Sequence, residues 1–166
     1  VEGWVGGKYK NVAPAKEDIS AECMDVLCKA ISVNSTAVLI NNSSSHETIV
    51  SGSKTEGALL MMLLTSFNVD YEPIRASSFN ASRGDRLFTF SSARKKMSVL
   101  MINGVKKNSG VSYTKGAAEV IVACSTRYVN SEGKVKPLTP AIKAELLAAI
   151  DEMAKKALRT VALAHR

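Results

Sequence analysis

Glycine, proline and asparagine cut this chain of 166 residues so that its strand-like stretches sit side by side instead of alternating with helices. Strands joined by tight turns pair antiparallel, whereas a parallel sheet needs a long crossover between every pair. The expected architecture is therefore one α+β domain over residues 1–166, a mainly antiparallel β-sheet flanked by helices. No glycine fingerprint follows the first strand, which argues against a doubly wound parallel sheet.

Residues 2–12 read as a short hairpin turning at Gly6 and Gly7. Residues 18–33 follow as an amphipathic helix, with Ile19, Cys23, Leu27 and Ile31 on one face and Asn34 as its end. The polar run 41–53 reads as a loop. A helix then starts near Lys54 or Thr55, carries Leu59, Leu60, Leu63 and Leu64 toward a core, and stops before Asn68. Residues 71–74, 86–90, 97–102 and 112–114 are strand-like, with a turn at Asn103 and Gly104. Residues 80–85 are given no structure. A short helix is expected over 117–124 and a turn over 130–133. The last helix has Thr139 as N-cap and Pro140 in its first turn, with Ile142, Leu146, Ile150 and Met153 along one face. A terminal strand, 160–164, closes the chain.

Composition narrows the function. The longest unbroken apolar run, residues 58–64, is far short of the roughly 20 residues that span a bilayer, so no segment here is expected to enter the membrane. Val1 in place of Met suggests a piece of something longer. The three cysteines, Cys23, Cys28 and Cys124, lie at unhelpful spacings and read as small hydrophobes; with His46 and His165 they make no metal-ligand pattern. No metal site is expected. A net charge of +7, from 22 Lys and Arg against 15 Asp and Glu, favours polyanionic partners. The basic residues are spread, so charge alone does not choose among nucleotide, nucleic acid and lipid.

Two stretches imitate phosphate loops and fail. Gly52-Ser53-Lys54-Thr55 lacks glycine immediately before lysine and the earlier glycine of a Walker A cradle, and Gly6-Gly7-Lys8 leads into a strand. Ser43, Ser44 and Ser45 beside His46 offer a nucleophile and a base, the residues a self-sufficient hydrolase would need. Neighbours in a loop rarely converge, and no third group orients the imidazole.

Phe90-Ser91-Ser92-Ala93-Arg94-Lys95-Lys96-Met97 is more informative. It joins two strands and puts an aromatic ring before a basic cluster, so that Phe90 can stack a base while Lys95 reaches phosphates. The same residues also read as a core phenylalanine followed by a charged hairpin. In Tyr113-Thr114-Lys115-Gly116-Ala117-Ala118-Glu119 a strand ends in Lys-Gly and turns into a helix, where Gly116 permits close approach beside the Lys115 charge. A glycine turn with a solvated lysine is the plainer reading of that piece. A basic single-stranded nucleic-acid-binding module would use the same Phe90 and lysines on exposed strands.

Order and spacing discriminate among these readings. Lys54-Thr55-Glu56-Gly57-Ala58-Leu59-Leu60, then residues 90–97, then 115–119, then Ala157-Leu158-Arg159-Thr160-Val161-Ala162-Leu163-Ala164 form a collinear set. This set resembles the nucleotide-binding domain of P-type ion pumps, most nearly the plasma-membrane type of calcium-transporting ATPase, and the resemblance covers most of the chain.

The resemblance implies a nucleotide-binding domain within a longer membrane pump, taking ATP, with Mg²⁺ accompanying the nucleotide in the whole pump. Carried over by motif, Phe90 matches the aromatic on which adenine stacks and Glu56 the acidic residue near the adenine amino group. Lys115 resembles the lysine at the base of the pocket, Lys95 the basic residue near the nucleotide, and Arg159 the arginine that reaches the polyphosphate. Thr55 and Gly116 shape the walls. An aromatic face, one acceptor for an amine and three cations suit ATP chemically. Ser92 stands where reticulum-type calcium pumps carry a further arginine, which favours the plasma-membrane type. No Asp-Lys-Thr-Gly-Thr segment is present, so no catalytic residue is assigned and ATP binding without efficient hydrolysis is expected of this piece. The implied partners are ATP and the phosphorylation and actuator domains of the same pump, at the cytosolic face of a membrane. Nucleic acid is not expected as a partner, and the piece is expected to be monomeric.

Overall fold

The computed structural model describes residues 2–10, 14–41, 47–102 and 109–166. Strands β1 (Gly3–Val5) and β2 (Lys8–Lys10) form the expected hairpin. Gly6 and Gly7 both have positive φ, +62° and +86°, the backbone a two-residue turn matched to strand twist requires. Helix α1 (Ala21–Val33) starts later than its pattern suggests. Asp18 belongs to a single preceding 3₁₀ turn, and Ser20 is the true N-cap, its hydroxyl accepting the Cys23 N–H at 3.3 Å.

Part of the polar run 41–53, read above as a loop, is strand. β3 (Val38–Asn41) pairs with β4 (Thr48–Ser51) as a ribbon outside the main sheet. Ser43, Ser44, Ser45 and His46 lie outside the described residues. Helix α2 (Lys54–Ser66) is capped by Ser53 and buries Leu60 and Leu63, but Leu64 faces solvent.

Residues 71–74 are not strand; they open helix α3 (Tyr71–Ser78). Their aromatic and β-branched character suggested extension, but Asp70 caps the helix by accepting the Glu72 N–H at 3.0 Å. Pro73 falls in the first turn, where its missing N–H removes no helical bond.

β5 (Arg86–Ser91), β6 (Lys96–Ile102) and β7 (Gly110–Ala117) follow, then helix α4 (Ala118–Cys124), the ribbon β8 (Arg127–Val129) and β9 (Val135–Pro137), helix α5 (Pro140–Lys155) and β10 (Val161–His165). The main sheet is four-stranded, ordered β10-β7-β6-β5 and antiparallel throughout. The α+β class is as expected. The turn proposed at Asn103 and Gly104 lies outside the described residues.

α1 is the central element. Met24, Cys28 and Ile31 pack with Leu60, Leu63, Phe67 and Tyr71 from α2, α3 and the segment between them. Ala30 and Val33 pack instead on Val99 and Tyr113 of the sheet. Burial on two faces explains why the single stripe read from the sequence was incomplete: Cys23 and Leu27 are only half-buried. Removing a fully enclosed side chain such as Leu60 should cost about 2–5 kcal/mol.

The stretch 80–85 is ordered around a buried carboxylate. Asp85 accepts the N–H groups of Asn80 at 2.8 Å and Ile102 at 2.7 Å, and pairs with Arg83 at 2.6 Å. These bonds tie the entry of β5 to the end of β6. Burial alone would raise the Asp85 carboxyl, but Arg83 and the two N–H groups hold it at about 2.

Candidate functional site

The sequence-predicted residues gather at one end of the sheet, where β5 and β7 finish and β6 and β10 begin. Ser91 of β5 faces Lys96 of β6, which faces Gly116 of β7, which faces Ala162 of β10. One residue inward, Met97, Lys115 and Leu163 form the next row on the opposite face, the side covered by α1.

A β-bulge decides where Phe90 points. β5 pairs Phe88 with Ser98 but Ser91 with Lys96, so one extra residue sits between them. Without it, Phe90 would share the face of Phe88. The shift spans Thr89 and Phe90, so Phe90 no longer follows the alternation of Phe88 and stands one residue before Ser91, toward the row of Met97 and Lys115. Met97 is sealed, whereas Phe90 is 60% exposed and leaves an open aromatic face at the rim.

The Lys95 turn completes that rim. Lys95 has φ +51°, donates its N–H to the Ser91 carbonyl at 2.7 Å, and accepts the Ala117 N–H at 3.0 Å. Its side chain is exposed. Gly116 makes this approach feasible: a Cβ there would lie 2.4 Å from the Lys95 carbonyl oxygen and 2.8 Å from the Lys96 Cβ.

Beneath the rim lies a buried ion pair. Glu56, in the first turn of α2, places Oε1 3.1 Å from the Lys115 Nζ, and each side chain is 8% exposed. The other oxygen, Oε2, accepts from the Thr36 N–H at 2.8 Å, the Ala37 N–H at 3.0 Å, the Thr36 hydroxyl at 3.1 Å and the Ser35 hydroxyl at 3.2 Å. Lys115 also donates to the Asn34 carbonyl. Burial disfavours both charges. For Glu56 the Lys115 charge and the donors of residues 36 and 37 overcome it, and the carboxyl falls below its usual range. For Lys115 burial prevails over the Glu56 attraction, and the ammonium is held below its usual range.

Arg159 and Thr55 meet directly, the guanidinium Nη1 donating to the Thr55 hydroxyl at 3.1 Å. This exposed contact links the start of β10 to the α2 N-terminus. The expected residues thus fall into two layers: Phe90, Lys95 and Arg159 exposed at the rim, and Glu56, Lys115 and Gly116 buried below, with Thr55 half-buried between. Glu56, expected beside an adenine amine, turns both oxygens toward protein partners.

Sequence reasoning missed residues 34–37 and Arg75, which hold the buried layer. Of these, Asn34 was legible only as the end of a helix. The failed phosphate loops are turns: Gly52 has φ +103° and Ser53 is the α2 cap. A shallow groove of about 380 Å³ between the β1–β2 hairpin and α5 is lined by Trp4, Tyr9, Glu145 and Glu152 among others, and touches none of the expected residues.

Comparison with known proteins decides the family. The model of the P-type ATPase cytoplasmic domain N matches residues 22–166. The chain belongs to this family. It is similar to Calcium-transporting ATPase 9, plasma membrane-type, of Arabidopsis thaliana, 30% identical over the whole chain. It is similar likewise to Plasma membrane calcium-transporting ATPase 3 of Homo sapiens at 29%, and to Calcium-transporting ATPase PAT1 of Dictyostelium discoideum at 34%, again over the whole chain. The chain spans 14% of the length of each of these relatives. Among the described residues of this N domain, no helix is long and apolar enough to cross a membrane.

Proposed function

We propose that this N domain binds ATP at the end of its main sheet and presents the γ-phosphate to a phosphorylation domain elsewhere in a calcium-transporting pump. The observation that carries this reading is the exposed Phe90 ring, set by the bulge in β5 beside the Lys95 turn, with Arg159 exposed across the same end of the sheet. A stacking surface ringed by cations fits a nucleotide base joined to a polyphosphate.

Phe90 stacks the adenine, and Lys95 and Arg159 meet the phosphate chain, with Mg²⁺ arriving on the nucleotide. Glu56, Lys115 and Gly116 form the base of the site and Thr55 steadies Arg159. Holding ATP by its adenosine end leaves the γ-phosphate free. Closure against the phosphorylation domain, with the actuator domain acting in the same cycle, then brings it in line with an aspartate. The chain has no Asp-Lys-Thr-Gly-Thr segment, so that nucleophile comes from outside it. The same reading makes residues 1–166 a single domain at the cytosolic face of the pump's membrane.

The test is an NMR titration of the 166-residue chain with ATP, beside a Phe90→Ala variant. Shifts should cluster at Phe90, Lys95, Lys115 and Arg159, and losing the ring should weaken binding by about 1–3 kcal/mol. Shifts scattered over surface lysines and equal in both proteins would sink the reading.

A further inference from the structure

Arg75 lies on α3, away from every motif discussed above, yet its guanidinium spans the loop that holds the site's buried pair. Nε donates to the Ser32 carbonyl at 2.8 Å and Nη1 to the Ala37 carbonyl at 3.1 Å. These acceptors bracket residues 33–36 like the two ends of a staple. Between them, Asn34 gives its carbonyl to Lys115, and Ser35 and Thr36, with Ala37, give their donors to Glu56. Asn34 secures the sheet side of the same loop, its buried amide nitrogen donating to the carbonyls of Met97 at 3.3 Å and Tyr113 at 3.2 Å.

The choice of an arginine here is costly. Its hydrogen-bond acceptors are main-chain carbonyls rather than a carboxylate, Nη2 is buried with no partner among the described residues, and the half-buried cation sits near the buried Lys115 ammonium. A leucine would fill the space without those penalties. What an apolar residue cannot do is reach two carbonyls in a fixed fork. The fork is itself fixed, because the guanidinium lies 4.8 Å over the Tyr71 ring and the Tyr71 hydroxyl accepts the Leu39 N–H at 2.9 Å.

We propose that Arg75 is a positioning residue for the candidate site: by stapling residues 33–36 it sets where the Lys115 ammonium and the Glu56 carboxylate stand beneath Phe90. Its effect on affinity rests on the nucleotide reading, whereas its effect on Lys115 is present without nucleotide. The charged groups facing Lys115 are Glu56 from α2 and Arg75 from α3; Asn34 at the end of α1 and Met97 and Leu163 beside it on the sheet are neutral. Burial lowers the ammonium, Glu56 opposes this, and Arg75 adds to the lowering.

The experiment compares wild type, Arg75→Met and Arg75→Lys. It follows the Lys115 side chain by ¹³C NMR across alkaline pH without ligand, then ATP affinity, with unfolding measured separately. In Arg75→Met the Lys115 midpoint should rise and ATP binding should weaken about tenfold. Arg75→Lys keeps the charge and should restore the midpoint, but as a point charge it cannot span both carbonyls, so affinity should recover only in part. A wild-type midpoint and affinity in Arg75→Met, with lowered stability alone, would make Arg75 merely structural and overturn the proposal. If Arg75→Met does not fold, Arg75→Lys decides, because wild-type affinity there would show that the staple is dispensable. If wild type binds no ATP, the nucleotide reading fails, and the ligand-free backbone amide shifts of residues 33–37 in Arg75→Lys still judge the placement: wild-type shifts there would overturn it.

Discussion

The candidate site holds two polar pairs, a carboxylate–ammonium ion pair and a guanidinium–hydroxyl hydrogen bond, that differ most in their access to water. Glu56 and Lys115 are sealed from water and enclosed by residues 34–37, whereas Arg159 and Thr55 touch through one hydrogen bond at the surface. A buried charge whose partner is removed stays desolvated, while an exposed one returns to water. The first pair is therefore bound into the fold, and the second can separate at little cost, as the proposed phosphate contact of Arg159 requires. In this N domain the buried pair lies below and the exposed candidate residues lie at the rim.

The sharpest way to break that comparison is at Glu56. Glu56→Ala strands the Lys115 ammonium and should cost about 3–5 kcal/mol in denaturant unfolding. Adding Lys115→Met should recover a measurable part of the loss, and a double variant less stable than Glu56→Ala would refute the picture of a mutually dependent pair. Next comes Gly116→Ala, whose new methyl meets the Lys95 carbonyl; about 3 kcal/mol of destabilisation is expected, with amide shifts centred on the Lys95 turn.

Asp85 tests whether burial dominates away from the site as well. Its carboxyl, held at about 2 in the folded chain against an ordinary 3.8, contributes stability that is complete above the ordinary value and is lost as pH falls toward 2. That contribution is about 2 kcal/mol. Urea unfolding of wild type and Asp85→Asn should differ by this much at pH 6 and converge near pH 2. An unchanged gap at low pH would show that Asp85 does not act through its charge. The smallest effect is expected at the surface. Arg159→Ala should change stability by less than about 1 kcal/mol while weakening ATP binding, and a stability loss as large as that of Glu56→Ala would erase the distinction between the layers.

The elements legible in the sequence were those whose cause is local. Thr139 and Pro140 mark the start of α5 because a cap and a first-turn proline act within a few residues. Gly6 and Gly7 mark a turn for the same reason. Tyr71 misled because its strand-like side chain was read without the Asp70 cap and the first-turn Pro73, and its packing with α1 and α2 was invisible. The ribbon β3–β4 escaped because its second strand, Thr48–Ser51, is short and set in a polar run.

The residues of the candidate site were named from motif order, and their division into rim and base was not. A motif lists Glu56 and Lys115 alike with Lys95 and Arg159, since all carry charge. Which charges are enclosed depends on contacts between positions far apart in the chain, such as Glu56 with residues 34–37 and Lys115 with Asn34. The face of Phe90 likewise depends on a register shift that exists only once β5 has paired with β6.

By itself the sequence determined the α+β class, most of the helix and strand positions, and the family, because these follow from periodicity, caps and ordered motifs along the chain. Tertiary structure alone decided which side of the sheet Phe90 meets, that Glu56 and Lys115 are buried together, and that Arg75 holds their loop. Burial and hydrogen-bond geometry are properties of distance in space, and residues 34, 56, 75 and 115 become neighbours only after the chain has folded.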